Sequence, residues 1–189
     1  MKLVFATNNP NKLSEIQSLV PKGIEILSLT DINCNEELPE TNPTLRENAL
    51  QKAKYVFDNY GFNCFADDTG LEVDALDGEP GVYSARYAGE DCKSVDNMKK
   101  VLEKLEGETN RTSKFRSVIA LIINGTETLF EGECKGEITK TKSGVEGFGY
   151  DPIFTPKGYD ITFAEMNKTE KGNISHRGKA VEKLVEFLK

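Results

Sequence analysis

The chain has 189 residues, with 24 basic and 31 acidic side chains, a net charge of −7 and a single histidine. This length is enough to bury a core without disulfides, and the four cysteines form no C-x-x-C pair of the kind found in zinc or redox motifs. The acidic balance disfavours nucleic-acid binding, one imidazole is too few for a histidine-rich zinc site, and neither a signal peptide nor a membrane-spanning run is seen, so we expect a cytoplasmic protein with no membrane contact.

The first third of the chain predicts alternating strands and helices. Lys2–Ala6 is typical of a buried strand, and Asn9 followed by proline is typical of the start of a helix that continues to Val20. Ile24–Leu29 predicts a second strand, and an apolar stripe predicts a helix over Thr44–Asn59. The stripe consists of Leu45, Ala49, Ala53, Val56 and Phe57. This order indicates an α/β fold.

Two adjacent carboxylates follow a short apolar run. Asn63–Ala66 predicts a buried strand, and Gly70 predicts a turn soon after, so we expect Asp67 and Asp68 at the end of the strand. Because neighbouring strand residues point to opposite faces, only one of the two is expected to face a given site. The alternative is a turn between two strands that is stabilised by an aspartate side chain.

The rest of the chain predicts a long loop, a hairpin and two helices. A glycine- and proline-rich loop covers 76–89, a helix covers 94–106, and a last helix begins near Ser175. Asn124–Gly125 between two apolar runs, 115–123 and 126–138, is a strong signal for a β-hairpin. Long loops in compact domains are often functional. The loop and the hairpin could also form a second lobe, with a cleft between the lobes.

Two polar segments in the first third are candidates for binding. Thr7–Lys12 lies between the first strand and the first helix, where backbone N–H groups and the helix dipole favour an anion, although ordinary helix capping also explains it. The acidic segment Glu36–Thr41 is a solvated loop unless one member, Glu40, approaches Asp68. Two such carboxylates would suit Mg²⁺, which takes oxygen ligands from one or two carboxylates and from substrate phosphates.

Two further segments lie near the end of the chain. Gly147–Pro152 contains Phe148 and Tyr150, either of which could stack on a planar base, and the alternative is a turn packed by two aromatic rings. Lys171 and Ser175–Gly178 place cations at the start of the last helix, against its dipole. Such a conflict indicates a bound anion or polar ligand, unless the turn is simply solvated.

These segments, in this order, resemble the inosine triphosphate pyrophosphatase family, also called the Ham1-like family, over essentially the whole chain. Each segment alone is a weak signal, and the ordered set is specific. The matching residues are Phe5–Asn9 with Lys12, Glu40–Thr41 with Glu47–Ala49, Ala66–Leu71, Pro80–Tyr87, Gly147–Pro152 and Ser175–Gly178.

The resemblance implies an enzyme that hydrolyses noncanonical purine nucleoside triphosphates (ITP, dITP and XTP) to the monophosphate and pyrophosphate. Such an activity cleanses the nucleotide pool of deaminated purines. The resemblance also implies Mg²⁺ as cofactor, a cytoplasmic homodimer, and one domain over residues 1–189. Its α/β fold would be an elongated mixed β-sheet flanked by helices, with two lobes around a central cleft.

The resemblance further implies roles for individual residues. Asp68 would be the proton acceptor and a magnesium ligand, and Glu40 would help to bind the metal. Phe148 would stack on the base, while His176 and Arg177 would read the oxygen at purine position 6. The substrate-binding set as a whole is Thr7, Asn8, Asn9, Pro10, Asn11, Lys12, Thr69, Phe148, Gly149, Tyr150, Asp151, Lys171, His176 and Arg177.

Two positions depart from the family pattern, and two other functions stay open. Asn8 stands where glycine is common, and Thr69 stands where serine is common; asparagine tolerates unusual backbone angles, and threonine keeps the hydroxyl. One alternative is a Maf-like pyrophosphatase acting on other modified nucleotides. The other is a nucleotide sensor without turnover, which would need neither Asp68 as a base nor Glu40 as a metal ligand.

Overall fold

Six strands form one sheet in the computed structural model, which describes residues 1–189. The strands are β1 (Lys2–Phe5), β2 (Glu25–Leu27), β3 (Cys64–Val73), β4 (Thr112–Ile123), β5 (Thr126–Ile138) and β6 (Phe154–Pro156). Their order across the sheet is β2-β1-β3-β4-β5-β6. β1 is parallel to β2 and to β3, and β5 is antiparallel to β6, so the predicted mixed sheet is confirmed.

Five α-helices accompany the sheet. They are α1 (Pro10–Leu19), α2 (Leu45–Tyr60), α3 (Ser94–Lys104), α4 (Lys168–Ile174) and α5 (His176–Phe187). The Asn9 side chain accepts the backbone N–H groups of Asn11 and Lys12, at 2.9 and 3.3 Å, which confirms the predicted start of α1. The short elements β6 and α4 were not predicted. No helix is both long enough and apolar enough to cross a membrane.

The chain divides into two compact units, and each has its own apolar core. The first unit contains residues 1–68, 117–132 and 177–189, and the second contains residues 69–116 and 133–176. In the first, the rings of Phe5 and Phe65 stack at 4.7 Å between centroids, next to buried residues of α5. In the second, Phe115 packs edge-on against Phe154 at 4.7 Å. The predicted cleft stays a prediction.

The prediction that the acidic pair ends its strand was wrong, because β3 continues through the pair to Val73. Leu71 is fully buried, and its N–H donates to the Ser84 hydroxyl at 2.8 Å. A Cβ on Gly70 would lie 2.5 Å from the carbonyl oxygen of Gly81. This glycine therefore permits close backbone approach within an extended strand, which its sequence signal does not distinguish from a turn.

The hairpin and the long loop were predicted more accurately. Asn124 and Gly125 have φ angles of 50° and 81°, so both residues of the β4–β5 turn are left-handed, as the Asn-Gly signal predicts. The loop over 76–89 contains a 3-10 helix, Gly81–Arg86. The loop is thus partly ordered by local hydrogen bonds.

Candidate functional site

The turn between β1 and α1 is built by its own polar side chains. Asn9 caps α1, and its backbone N–H in turn donates to the Thr7 hydroxyl at 3.1 Å. Pro10 occupies the first helical position, where the missing N–H leaves no bond unmade. The first turn of α1 contains no acidic side chain to compete for its N–H groups. The predicted anion site is therefore compatible with the geometry, and it stays a prediction.

Asp67 lies at the centre of a buried ion-pair network in the first unit. One carboxylate oxygen is 2.9 Å from the Lys12 Nζ, and the other is 3.0 Å from the Arg177 Nε. Arg177 is only 2% exposed, and its guanidinium also bonds to the Glu15 carboxylate. Burial raises the pKa of Asp67, but the charges of Lys12 and Arg177 outweigh burial and hold the pKa well below its ordinary value.

This network resolves the electrostatic conflict that the sequence showed at the start of α5. A cation in the first turn of a helix is unfavourable by itself, and the carboxylates of Asp67 and Glu15 compensate for Arg177 within the protein. Lys12 is likewise committed to Asp67, and burial lowers the pKa of its ammonium group. Direct contact of Arg177 or Lys12 with a substrate stays a prediction.

Asp68, the neighbour of Asp67 on β3, has a different partner. Its Oδ1 is 3.6 Å from the Lys52 Nζ, and Lys52 also bonds to the Glu40 carboxylate. The other oxygen, Oδ2, is buried and has no hydrogen-bond partner in the protein. The two aspartates thus engage different cations, as strand alternation predicts. Lys52 joins the two carboxylates, Glu40 and Asp68, that were predicted as metal ligands.

Burial and neighbouring charges act in opposite directions on the pKa values of Asp68, Glu40 and Lys52. Burial raises the pKa of Asp68 above its ordinary value, even though Lys52 and Lys12 oppose this. Burial also raises the pKa of Glu40, but there Lys52 prevails and the pKa is lowered. The pKa of Lys52 is raised because Asp68 and Glu40 outweigh the effect of burial. Burial therefore dominates the pKa of Asp68, and the charge of Lys52 dominates the pKa of Glu40.

The residues present fit a Mg²⁺ ion that takes its remaining ligands from a substrate. A buried carboxylate oxygen without a partner, Asp68 Oδ2, is costly unless a cation or donor approaches it. No three His, Cys, Asp or Glu side chains are grouped to hold a metal by themselves. Mg²⁺ is typically bound by one or two protein carboxylates, and phosphate oxygens of the substrate take further coordination positions.

The second unit contains a separate cluster around Asp151. The Lys171 Nζ is 2.7 Å from Asp151 Oδ2, and the same oxygen accepts the backbone N–H of Phe148 at 2.8 Å. Asp151 and Lys171 are both buried, and the Lys171 Nζ lies 5.0 Å from the centre of the Phe148 ring. A Cβ on Gly147 would overlap the Asp151 carboxylate. Asp151 therefore fixes the backbone that presents Phe148.

The remaining predicted site residues of the second unit differ in how accessible they are. Tyr150 belongs to the apolar core, and its hydroxyl donates to the Ser84 carbonyl at 2.6 Å, so its ring is not available for stacking. Phe148 and Thr69 are only half-buried. The His176 ring is 3% exposed and stacks on Phe115 at 4.6 Å between centroids. Phe148 is thus the better candidate for stacking on a base.

Comparison with known families decides what kind of protein this is. The model of the Ham1 family matches residues 3–187. This chain belongs to the Ham1 family. The assignment confirms the family that the ordered sequence segments resemble.

Relatives within the Ham1 family match along their full length. The dITP/XTP pyrophosphatase of Christiangramia forsetii is 59% identical over 188 residues, which are 100% of this chain and 99% of that protein. The dITP/XTP pyrophosphatase of Bacillus subtilis is 44% identical and covers 98% of this chain and 96% of that protein. The Staphylococcus aureus Ham1 protein superposes with a TM-score of 0.89 at 39% identity and covers 100% of this chain and 98% of that one.

Sequence reasoning missed two side chains of the candidate site, Lys52 and Glu15. Lys52 interrupts the apolar stripe of α2, between Ala49 and Val56, and it is only 5% exposed. A lysine on the buried face of a helix needs a buried anion, so its position was a usable signal. Glu15 carries no comparable signal, because its partner Arg177 is 162 residues away in sequence.

Proposed function

We propose that this Ham1-family protein hydrolyses noncanonical purine nucleoside triphosphates, namely ITP, dITP and XTP, to the monophosphate and pyrophosphate. Full-length relatives named dITP/XTP pyrophosphatase, up to 59% identical, support this reaction and a role in cleansing the nucleotide pool. The structural observation that carries the mechanism is Asp68: it is buried, it lies beside Lys52, and one oxygen has no partner in the protein.

Asp68 acts in this proposal as the proton acceptor for the attacking water. Burial raises its pKa, which makes the carboxylate a stronger base than an exposed one. Lys52 lies 3.6 Å from Oδ1 and favours the ionised form that a base requires. The unpartnered Oδ2 is the oxygen that can receive the proton. The attack would break the bond between the α and β phosphates.

The phosphates would be bound mainly by positive charge in the first unit. Glu40 and Asp68 would hold Mg²⁺, which when bound would neutralise charge on the phosphate oxygens. The turn Thr7–Lys12 would contribute backbone N–H groups and the Lys12 ammonium. Asp67, bonded to Lys12 at 2.9 Å, would orient that ammonium. Positioning and charge neutralisation are the main requirements of phosphoryl chemistry.

Most of the residues proposed to bind the purine belong to the second unit, and Arg177 belongs to the first. Phe148 would stack on the base, and its backbone is held by the Asp151–Lys171 pair. His176 and Arg177 would recognise the oxygen at position 6. A donor directed at that oxygen is repelled by the 6-amino group of adenine, and such mismatches discriminate strongly. Thr69 and Gly149 complete the proposed substrate-binding set.

A homodimer in the cytoplasm completes the proposal. Light scattering at micromolar concentration is the test of the dimer, and a mass equal to one 21.0 kDa chain would contradict it.

The reaction itself is tested by product analysis. The protein and Mg²⁺ are mixed with equal amounts of ITP, XTP, GTP and ATP, and pyrophosphate and orthophosphate are assayed separately. We expect pyrophosphate with IMP and XMP, and little product from ATP or GTP. Orthophosphate release would contradict the proposed bond cleavage. No activity on these four nucleotides, with activity on a parallel panel of modified pyrimidine nucleotides, would favour the Maf-like alternative. Binding of ITP without turnover would favour a sensor.

Replacement of the proposed base gives a sharper test. Asp68→Asn keeps the size of the side chain but cannot accept the proton, so the turnover number for ITP should fall by about 10²- to 10⁴-fold. Binding of ITP, measured by calorimetry, should remain detectable. Asp58→Asn, at an exposed position of α2, is the matched control and should keep the wild-type rate. An undiminished rate in Asp68→Asn would exclude Asp68 as the base.

A further inference from the structure

The segment that carries Glu40 has no regular secondary structure. Residues 34–42 contain neither a helix nor a strand. The Glu40 carboxylate is nevertheless held against Lys52 of α2. Other contacts must therefore hold the backbone on each side of Glu40, because fixing a free loop in one position costs conformational entropy.

On the C-terminal side, the backbone is clamped to α2. The Thr41 N–H donates to Gln51 Oε1 at 3.0 Å, and the Gln51 amide donates back to the Thr41 hydroxyl at 2.8 Å. The Asn42 N–H donates to Asn48 Oδ1 at 2.8 Å. This side is thus fixed by side chains from a rigid helix, within about one turn of Lys52.

On the N-terminal side, the clamp is the side chain of Asn8. Its Nδ2 donates to the Glu36 carbonyl at 3.1 Å, and its Oδ1 accepts the Leu38 N–H at 3.0 Å. One carboxamide therefore pairs with the carbonyl of one residue and the N–H of the second residue after it. A neighbouring β-strand would bond to the same two groups.

The geometry points to Asn8 as a positioning residue for Glu40, and this inference rests on the proposed function of Glu40 as a magnesium ligand. Pro39 lies between Leu38 and Glu40, and its ring fixes φ while also restricting Leu38. The orientation that Asn8 imposes at Leu38 is therefore transmitted to Glu40 through a stiff link. Asn8 thereby sets the carboxylate for Mg²⁺ without touching the ion.

Asn8→Ala removes both hydrogen bonds and tests the inference. Because partners that orient a metal ligand typically contribute about 10- to 100-fold to affinity, the Mg²⁺ concentration for half-maximal activity should rise about tenfold. Added Mg²⁺ should restore part of the lost activity, which a general loss of stability would not allow. Asn8→Ser, which can keep at most one of the two bonds, should give a shift in the same direction.

Two measurements do not depend on turnover. The Leu38 amide should exchange its hydrogen faster in Asn8→Ala, because it has lost its acceptor, and titration with Mn²⁺ alone should show weaker binding. The control is Asn110→Ala, which removes an exposed asparagine that accepts a backbone N–H at 3.1 Å in the second unit. Shifts no larger than those of the control would overturn the inference. A wild-type protein without activity would instead refute the proposed function, and these two measurements would still decide the role of Asn8.

Discussion

Lys52→Met removes the cation that pairs with the Glu40 and Asp68 carboxylates, and it keeps the length of the side chain. The Lys52 and Asp68 side chains are 6% and 9% exposed, so little water can replace the lost charge. Removing one partner of a buried ion pair typically costs about 3–5 kcal/mol. Glu40 is 32% exposed and regains some hydration, so we expect a loss near the lower end, about 3 kcal/mol.

The loss of stability in Lys52→Met should also depend on pH. Burial already raises the pKa of Asp68, and without Lys52 the pKa rises further. A carboxyl whose pKa is higher in the folded than in the unfolded state stabilises the fold below its unfolded pKa, and this stabilisation is lost as pH rises through the folded value. Ionised Asp68 therefore destabilises the variant most at alkaline pH. The stability gap to the wild type should narrow between pH 8 and pH 5.

The assay is urea unfolding followed by circular dichroism at pH 5 and pH 8, without metal. The control is Lys54→Met on the same helix, where Lys54 is 50% exposed and pairs with Glu127 at 2.9 Å. Such a surface pair contributes about 0–1 kcal/mol. A loss in Lys52→Met no larger than in the control, or a gap that is equal at both pH values, would refute the reasoning.

Three further changes test other parts of the molecule. Gly70→Ala should lower stability by about 1–3 kcal/mol in urea unfolding, because the new Cβ would lie 2.5 Å from the Gly81 carbonyl oxygen. Tyr60→Phe should lower stability at pH 6 but not near pH 2. Hydrogen bonds, chiefly from Tyr60, lower the pKa of Glu36 to about 2. A carboxyl with a depressed pKa stabilises the fold above its unfolded pKa, and this stabilisation is lost as the pH falls through the folded pKa. Phe148→Ala should raise the KM for ITP about 5- to 150-fold, since stacking on a base contributes about 1–3 kcal/mol.

The two aromatic changes have matched controls. Tyr159→Phe and Phe62→Ala change rings that are 38% and 40% exposed, and they should leave stability and KM near the wild-type values. Wild-type stability in Gly70→Ala would show that the strand relaxes around a methyl group. A Tyr60→Phe effect that persists at pH 2 would exclude Glu36 as its cause. An unchanged KM in Phe148→Ala would remove that ring from base binding.

Local signals in the sequence were sufficient for elements that are stabilised locally. Asn9 with the following proline predicted the start of α1, and Asn124–Gly125 predicted the hairpin, because in both cases the decisive hydrogen bonds join residues close in the chain. The continuation of β3 past Gly70 depends on contacts with residues 81–84, which no local pattern encodes. Local rules therefore fail where tertiary contacts decide.

The candidate site shows the same limit more strongly. The ordered motifs identified the family and therefore the activity, and Asp68 with Glu40 were named from them. The cations of the candidate site are placed by tertiary contacts. Arg177 pairs with Asp67, which is 110 residues away in sequence, and Lys52 lies within the apolar stripe of α2. The individual roles in substrate and metal binding stay predictions.

The discontinuous make-up of the first unit has a consequence for synthesis on the ribosome. Its core combines Phe5 and Phe65 with Ala180, Val181 and Leu184, and the partner of Asp67 is Arg177. Until residues 177–189 have left the exit tunnel, these apolar side chains lack part of their core, and the Asp67 carboxylate lacks Arg177. The first unit can therefore reach its native core only after residues 177–189 have emerged, and until then its apolar side chains are open to nonspecific association.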